Sequence, residues 1–134
     1  VHRVSPRRWL DAHGAVYFAR YLHFFERART EWLRELGIEQ HKLREQTGGI
    51  FVVTHAAVDY LAPARLDDQL WVTAQLQSAG RASIAIAQQA LLQPAVSSAG
   101  RPELLSEGTI RIGWVDAASM RPARIPASLL EKLS

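Results

Sequence analysis

Asp11 stands in a glycine-containing stretch, Leu10-Asp11-Ala12-His13-Gly14-Ala15-Val16-Tyr17, that leads straight into an apolar, helix-periodic segment. A carboxylate in such a place can serve as nucleophile or general base. The helix entry supplies the complementary half of the chemistry. Val16 and Tyr17 offer no side-chain oxygen suited to capping the first turn. The first-turn N–H groups therefore need another partner, and a helix N-terminus with free N–H groups favours negative charge. A ligand carbonyl turning into an oxyanion would meet that need, with the nearby carboxylate attacking or activating water. The same residues allow a plainer role, in which Asp11 braces the loop or interacts with the helix dipole. Spacing alone leaves both open.

Few other chemistries have the residues they require. Cysteine is absent, which removes disulfides, thiolate metal sites and cysteine nucleophiles together. The five histidines, His2, His13, His23, His41 and His55, lack metal-ligand spacing, so no metal site is expected. The signatures HExxH, GxSxG, GxGxxG and the P-loop are missing. Sixteen basic against thirteen acidic residues leave a net charge of +3, which fits a small anionic ligand. Fourteen of the basic residues are Arg, the side chain suited to planar phosphate recognition. They form no stripe interleaved with exposed aromatics, so nucleic acid is not expected as a partner.

The elements that must position these residues can be read from periodicity. Phe18, Tyr21, Leu22, Phe25, Ala28, Trp32, Leu33 and Leu36 recur at three- and four-residue spacing and predict a helix over Phe18 to Leu36, stopped by Gly37. The period then changes to two. Strands are predicted over Ile50 to Tyr60, Asp68 to Ala79, Ala82 to Leu92 and Glu103 to Val115, after a short N-terminal strand. Turn signals at Ala62-Pro63-Ala64, at Ala79-Gly80 and from Gln93 to Pro102 separate them. Pro126 to Ser134 reads as a short closing helix.

Hairpin-type links make an antiparallel sheet, and one apolar helix must lie against it: an α+β architecture. Trp71, Gln75, Ser83, Ala85 and Ala87 are expected on the outer sheet face, which a second copy could cover. With 134 residues and 48% hydrophobic composition, a single domain over 1–134 can bury a core of its own. Apolar runs are too short to span a bilayer, and Arg3, Arg7 and Arg8 are followed by no apolar stretch of the signal-peptide kind. A cytoplasmic protein is therefore expected.

The element order, the Leu10 to Tyr17 stretch and the run Tyr21-Leu22-His23-Phe24-Phe25-Glu26-Arg27-Ala28-Arg29-Thr30-Glu31 resemble the hotdog-fold acyl-CoA thioesterases. The similarity points to the branch of 4-hydroxybenzoyl-CoA thioesterase and the Tol-Pal-associated thioesterase. It continues through Phe51-Val52-Val53, through Val58 to Asp68 with its Ala62-Pro63-Ala64 centre, and through Met120-Arg121-Pro122 and Ile125-Pro126.

The resemblance implies a sheet wrapped around one central helix and hydrolysis of a thioester to free acid and coenzyme A. It makes Asp11 the catalytic acid, with the Phe18 backbone N–H polarising the carbonyl and Gly14 auxiliary as the glycine of the D-x-x-G loop; His13, beside the acid, is a further auxiliary candidate. Tyr17, His55, Arg81 and Ser83 become substrate contacts, the last two for coenzyme A phosphates, a role Arg121 and Arg124 could share. A second hotdog class uses a helix Glu, which would fall on Glu26 or Glu31. No cofactor is implied beyond coenzyme A in the substrate. The partners implied are an acyl-CoA or acyl-carrier-protein thioester and further copies of the chain, as homodimer or homotetramer with sites between subunits. Three positions depart from the branch: Arg7 stands where it usually has Tyr, Phe18 where it usually has His, and His13 where it usually has Gly.

Overall fold

A computed structural model describes residues 2–4, 18–62, 69–93 and 102–133. Its six strands are β1 (His2–Val4), β2 (Gly49–Tyr60), β3 (Leu70–Val72), β4 (Gln75–Ala79), β5 (Ser83–Leu92) and β6 (Glu103–Asp116); its helices are α1 (Phe18–Glu35), α2 (Gln40–Thr47) and α3 (Ala127–Leu133). One antiparallel sheet runs in the order β1-β3-β5-β6-β2, and β4 pairs with β5 as β3 does. The chain leaves β1 at one edge, passes through α1 and α2, and enters β2 at the other edge. This is the hotdog arrangement, in which the long helix joins the two edges of a sheet and must lie across its face.

Alternation decides which face that is. Ile84, Ile86, Gln88 and Ala90 of β5 and Ile110, Ile112 and Trp114 of β6 are buried toward the helix. From α1, Tyr21, Phe24, Phe25, Ala28 and Leu33 meet them at the three- and four-residue spacing of one stripe. Each large apolar side chain enclosed in this way contributes about 1.5–3 kcal/mol. The enclosed residues form two clusters: Tyr21, Phe24, Phe25 and Ala28 pack with Leu70, Val72, Ala90 and Leu105, while Leu33, Ile38 and Leu43 join Phe51 and the isoleucines under α3. Among the described residues no helix is long and apolar enough to cross a membrane.

The structure corrects the sequence reading in three places. The helix α2 was not expected. Only Leu43 of its eight residues is buried, and its N-cap Glu39 makes no side-chain cap bond, so neither periodicity nor capping announces it. Gly48 ends it in the left-handed region at φ 76°, and at Gly49 a side chain would collide with the Trp114 ring. The stretch from Asp68 to Ala79, expected as one strand, is two. Thr73 sits at the break, its Oγ1 accepting from the Gln89 N–H at 3.0 Å. Ala85 lies on the outer face as expected but is itself buried, in register with Ser78 and Arg111. Most of the Gln93 to Pro102 connection, and Pro63 to Asp68 of the Ala62-Pro63-Ala64 segment, lie outside the described residues.

Candidate active site

Helix α1 begins at Phe18, and its first turn carries no acidic residue. The N–H groups of that turn have no acceptor within the helix. Asp11, His13, Gly14 and Tyr17 lie outside the described residues, so of the residues grouped at the helix entry Phe18 alone has a described position.

The first turns of α1 are anchored by polar contacts as well as by packing. The Tyr21 hydroxyl donates to the Ala62 carbonyl at 3.3 Å, and its ring meets Phe24 edge-on at 5.9 Å and Tyr60 at 5.8 Å. Leu61 and Ala62 both donate their N–H to the Leu105 carbonyl. Helix start, β6 and the end of β2 therefore converge on one small volume. A second tie is Gln88, a fully buried polar side chain. Its Nε2 donates to the Phe25 carbonyl at 3.0 Å and to the Thr73 carbonyl at 3.1 Å, while its Oε1 accepts from Arg29 at 2.9 Å. Burial pushes the Arg29 guanidinium below its ordinary pKa, and the Glu26 carboxylate opposes that shift. Sequence reasoning missed Gln88. Its signal was a polar residue at an inward position of an otherwise apolar alternation, Ile84-Ile86-Gln88-Ala90.

The remaining candidates separate. His55 pairs in register with the exposed Arg111, just past an irregularity after Val53, so it lies on the outer face and not against α1. Ser83 shares that outer face, its Oγ accepting from Arg111 at 3.2 Å. Arg81 does not join Ser83. It meets Arg124 at a cavity of about 440 Å³ floored by Leu76, Ala79, Leu130 and Leu133. The Arg81 carbonyl accepts from the Ile125 N–H at 2.7 Å, which fixes the two arginine-bearing loops together. Two guanidinium groups above an apolar floor suit a phosphorylated ligand with an apolar portion. Arg121 is exposed on the neighbouring turn and does not line that cavity. Glu31 is engaged by Arg34 at 3.0 Å and Arg27 at 3.9 Å, which is the structural role its spacing suggests, and Glu26 is exposed. Phe24 and Phe25 of α1 are closed into the core.

Comparison with known proteins adds three findings. Residues 5–133 match the family model of the thioesterase-like superfamily. The chain is 41% identical over 116 residues to the acyl-CoA thioesterase YbgC of Haemophilus influenzae, covering 87% of this chain and 79% of that protein. It is 30% identical to the acyl-CoA thioesterase YbgC of Helicobacter pylori, covering 92% and 91%. Among solved structures, a 4-hydroxybenzoyl CoA thioesterase mutant complexed with 4-hydroxybenzoyl CoA superposes with a TM-score of 0.88 over 99% of this chain and 96% of that one; at 14% identity the likeness is one of fold.

Proposed function

Because the chain belongs to the thioesterase-like superfamily, we propose that it is an acyl-CoA thioesterase, releasing a free acid and coenzyme A. The observation that carries the mechanism is an α1 that starts at Phe18 with no acidic side chain in its first turn. The Phe18 N–H receives the thioester oxygen. Asp11 either attacks the carbonyl carbon, forming an anhydride that water then opens, or takes a proton from the water that attacks. Negative charge collects on the oxygen at the helix end and collapses with expulsion of the coenzyme A thiolate. A backbone donor survives a change of side chain, so Phe in place of the branch's His leaves this step intact.

In this reading His13 and Gly14 are auxiliary to Asp11, and Tyr17 is a substrate contact. Arg81, with Arg124 beside it, takes the phosphates of coenzyme A; His55 and Ser83 are substrate contacts from the outer side of the sheet. The reaction needs no resident cofactor, since coenzyme A arrives with the substrate, and an acyl carrier protein could bring the same thioester. A coenzyme A substrate places the work in the cytoplasm. The active form is a homodimer or homotetramer with a second copy along the β2 edge. Among the described residues that strand is hydrogen-bonded on one side only, and it is exposed from Val53 through Ala57, with Val53 at 53% and Leu61, just beyond its end, at 54%.

Arg7 and Phe18, at positions where the branch carries Tyr and His, favour one second reading: a hotdog protein that binds acyl-CoA or acyl carrier protein without turnover. Thiol release from short, medium, long and aromatic acyl-CoAs, measured for wild type and Asp11→Asn, separates the two. Turnover that falls about a thousandfold or more in Asp11→Asn, with the fold intact, is the expected result. Activity that survives the substitution would remove Asp11 from the mechanism, and tight binding without turnover by wild type would establish the second reading.

A further inference from the structure

The thioesterase reading uses the two guanidinium groups of the arginine cavity and leaves its floor without a purpose. Leu76 of β4 and Leu130 of α3 are half-buried at the edge of the larger apolar cluster, and Leu133 is buried within it. Leu130 and Leu133 stand at i and i+3 of α3, so both turn the same way. With Leu76 and Ala79 they floor the hollow of about 440 Å³, a size that accepts a small-molecule ligand. Two backbone groups at its rim are already paired: the Gly80 N–H donates to the Ser83 carbonyl at 2.8 Å, and the Arg81 carbonyl accepts from Ile125. A ribose or a base laid on four aliphatic side chains would leave polar atoms unpaired, which is costly. A hydrocarbon chain has none to pair. Above this floor Arg81 and Arg124 are exposed and enter no ion pair among the described residues.

We infer that the cavity binds the free acid of an unbranched hydrocarbon chain, its carboxylate between Arg81 and Arg124 and its chain on the leucine floor. A guanidinium meets a carboxylate through two parallel N–H donors, as it meets a phosphate. The occupant is therefore an acid of the kind that thioester hydrolysis releases, and it engages the two arginines that coenzyme A phosphates need. Acid and acyl-CoA exclude one another there, so accumulating product raises the apparent KM for the next substrate. The proposal rests on the thioesterase reading for this competition alone; the fit of the acid rests on the cavity.

Equilibrium dialysis of octanoate, decanoate and dodecanoate against the whole chain, with no thioester present, tests the site directly. Wild type is expected to bind all three, each added methylene that reaches the floor tightening binding about fourfold. Decanol, which has the chain without the charge, should bind at least about tenfold more weakly than decanoate. Arg124→Ala removes an exposed side chain from the rim and should weaken decanoate about tenfold. Leu130→Asn should flatten the dependence on chain length while the arginines still hold the carboxylate. Coenzyme A should displace decanoate from wild type. No binding by wild type, equal binding of decanol, or an affinity that neither substitution changes would overturn the proposal, the last by putting the acid elsewhere on the chain. Decanoate binding that both substitutions weaken but coenzyme A leaves in place would uphold the acid site and take coenzyme A phosphates out of the cavity, so the two readings fail separately.

Discussion

Helix α1 is held in two different ways along its length. Its last turns rest on an apolar cluster, Leu33 with Ile38 and Leu43 against Phe51, Ile84 and Ile112, with surface ion pairs from Arg34 to Glu31 and Glu39 outside it; the directed ties to the sheet at this end belong to α2, where Gln40 donates to the Phe51 carbonyl at 2.8 Å and accepts from the Phe51 N–H at 3.1 Å. Its first turns also pack on apolar side chains, but there directed hydrogen bonds cross the interface: Tyr21 to the Ala62 carbonyl, and Gln88 to the carbonyls of Phe25 and Thr73 while accepting from Arg29. Apolar burial has no direction and tolerates sliding. Hydrogen bonds lose strength within a few tenths of an ångström and a few tens of degrees. The half of the helix proposed to present an N–H to a reacting carbonyl is the half whose place on the sheet is fixed, as a site sensitive to misplacement of about 1 Å requires.

The largest effect that would test this contrast lies in the cohesive half. Ile84 is fully buried in the second cluster. Ile84→Ala should cost about 2–5 kcal/mol, read from urea or thermal unfolding. Below its melting temperature the variant should keep the wild-type kcat; a matching loss of kcat would show that the two halves are not independent.

Next comes the tie itself. Gln88→Leu keeps the bulk but leaves the Thr73 carbonyl without its side-chain donor and the half-buried Arg29 without its Gln88 acceptor. A loss of about 1–3 kcal/mol is expected. The distinguishing outcome is kinetic: kcat should fall more steeply than in Ile84→Ala although the protein is less destabilised. Equal kcat in the two variants would reduce Gln88 to an ordinary buried amide.

These two halves were not equally legible. The apolar half and the sheet could be read because stripes at three- and four-residue spacing and alternation at two residues are what burial imposes on helices and strands. The Phe18 start was legible as the first residue of that helical stripe. Gln88 was visible only as a polar residue out of pattern, since nothing local says which helix carbonyls it will meet. The meeting of Arg81 with Arg124 was likewise hidden, because the loops that bear them are joined by the Ile125-to-Arg81 backbone bond and not by neighbouring sequence. Helix α2 was invisible because a helix with one buried side chain has no stripe. The β3–β4 break was masked because a Thr hydroxyl makes it, with no Gly or Pro to mark it.

A smaller effect is expected at the arginine cavity, which belongs to neither set of ties. Arg81→Ala or Arg124→Ala should raise KM for acyl-CoA about tenfold with kcat nearly unchanged, the loss of one charge-assisted bond to a phosphate. The same variants should leave hydrolysis of a short thioester lacking the nucleotide unaffected. A KM that does not move would take the cavity out of substrate binding.

The smallest effect is electrostatic and lies at the cohesive end, where β6 turns back toward α3. Asp116 Oδ1 accepts from the N–H of Ser119 at 2.8 Å and of Ala118 at 3.0 Å, and the turn they close puts Met120 at φ 60°. The Ser119 backbone bond foremost, then its side chain and the Ala118 N–H, hold the Asp116 carboxyl below its ordinary value of 3.8. A folded-state pKa below the unfolded one stabilises the fold above the ordinary aspartate range, and that contribution disappears as pH falls through the range and on through the folded value. Asp116→Ala should therefore unfold at slightly lower urea than wild type at neutral pH, and the two midpoints should converge as pH drops toward about 3 and below. A gap that stays constant with pH would assign the loss to turn geometry alone. Because the carboxylate is fully exposed, the gap should stay small even at neutral pH, and the kcat of the variant should match wild type: a charge that shapes a distant turn has no path to the directed contacts at the start of α1.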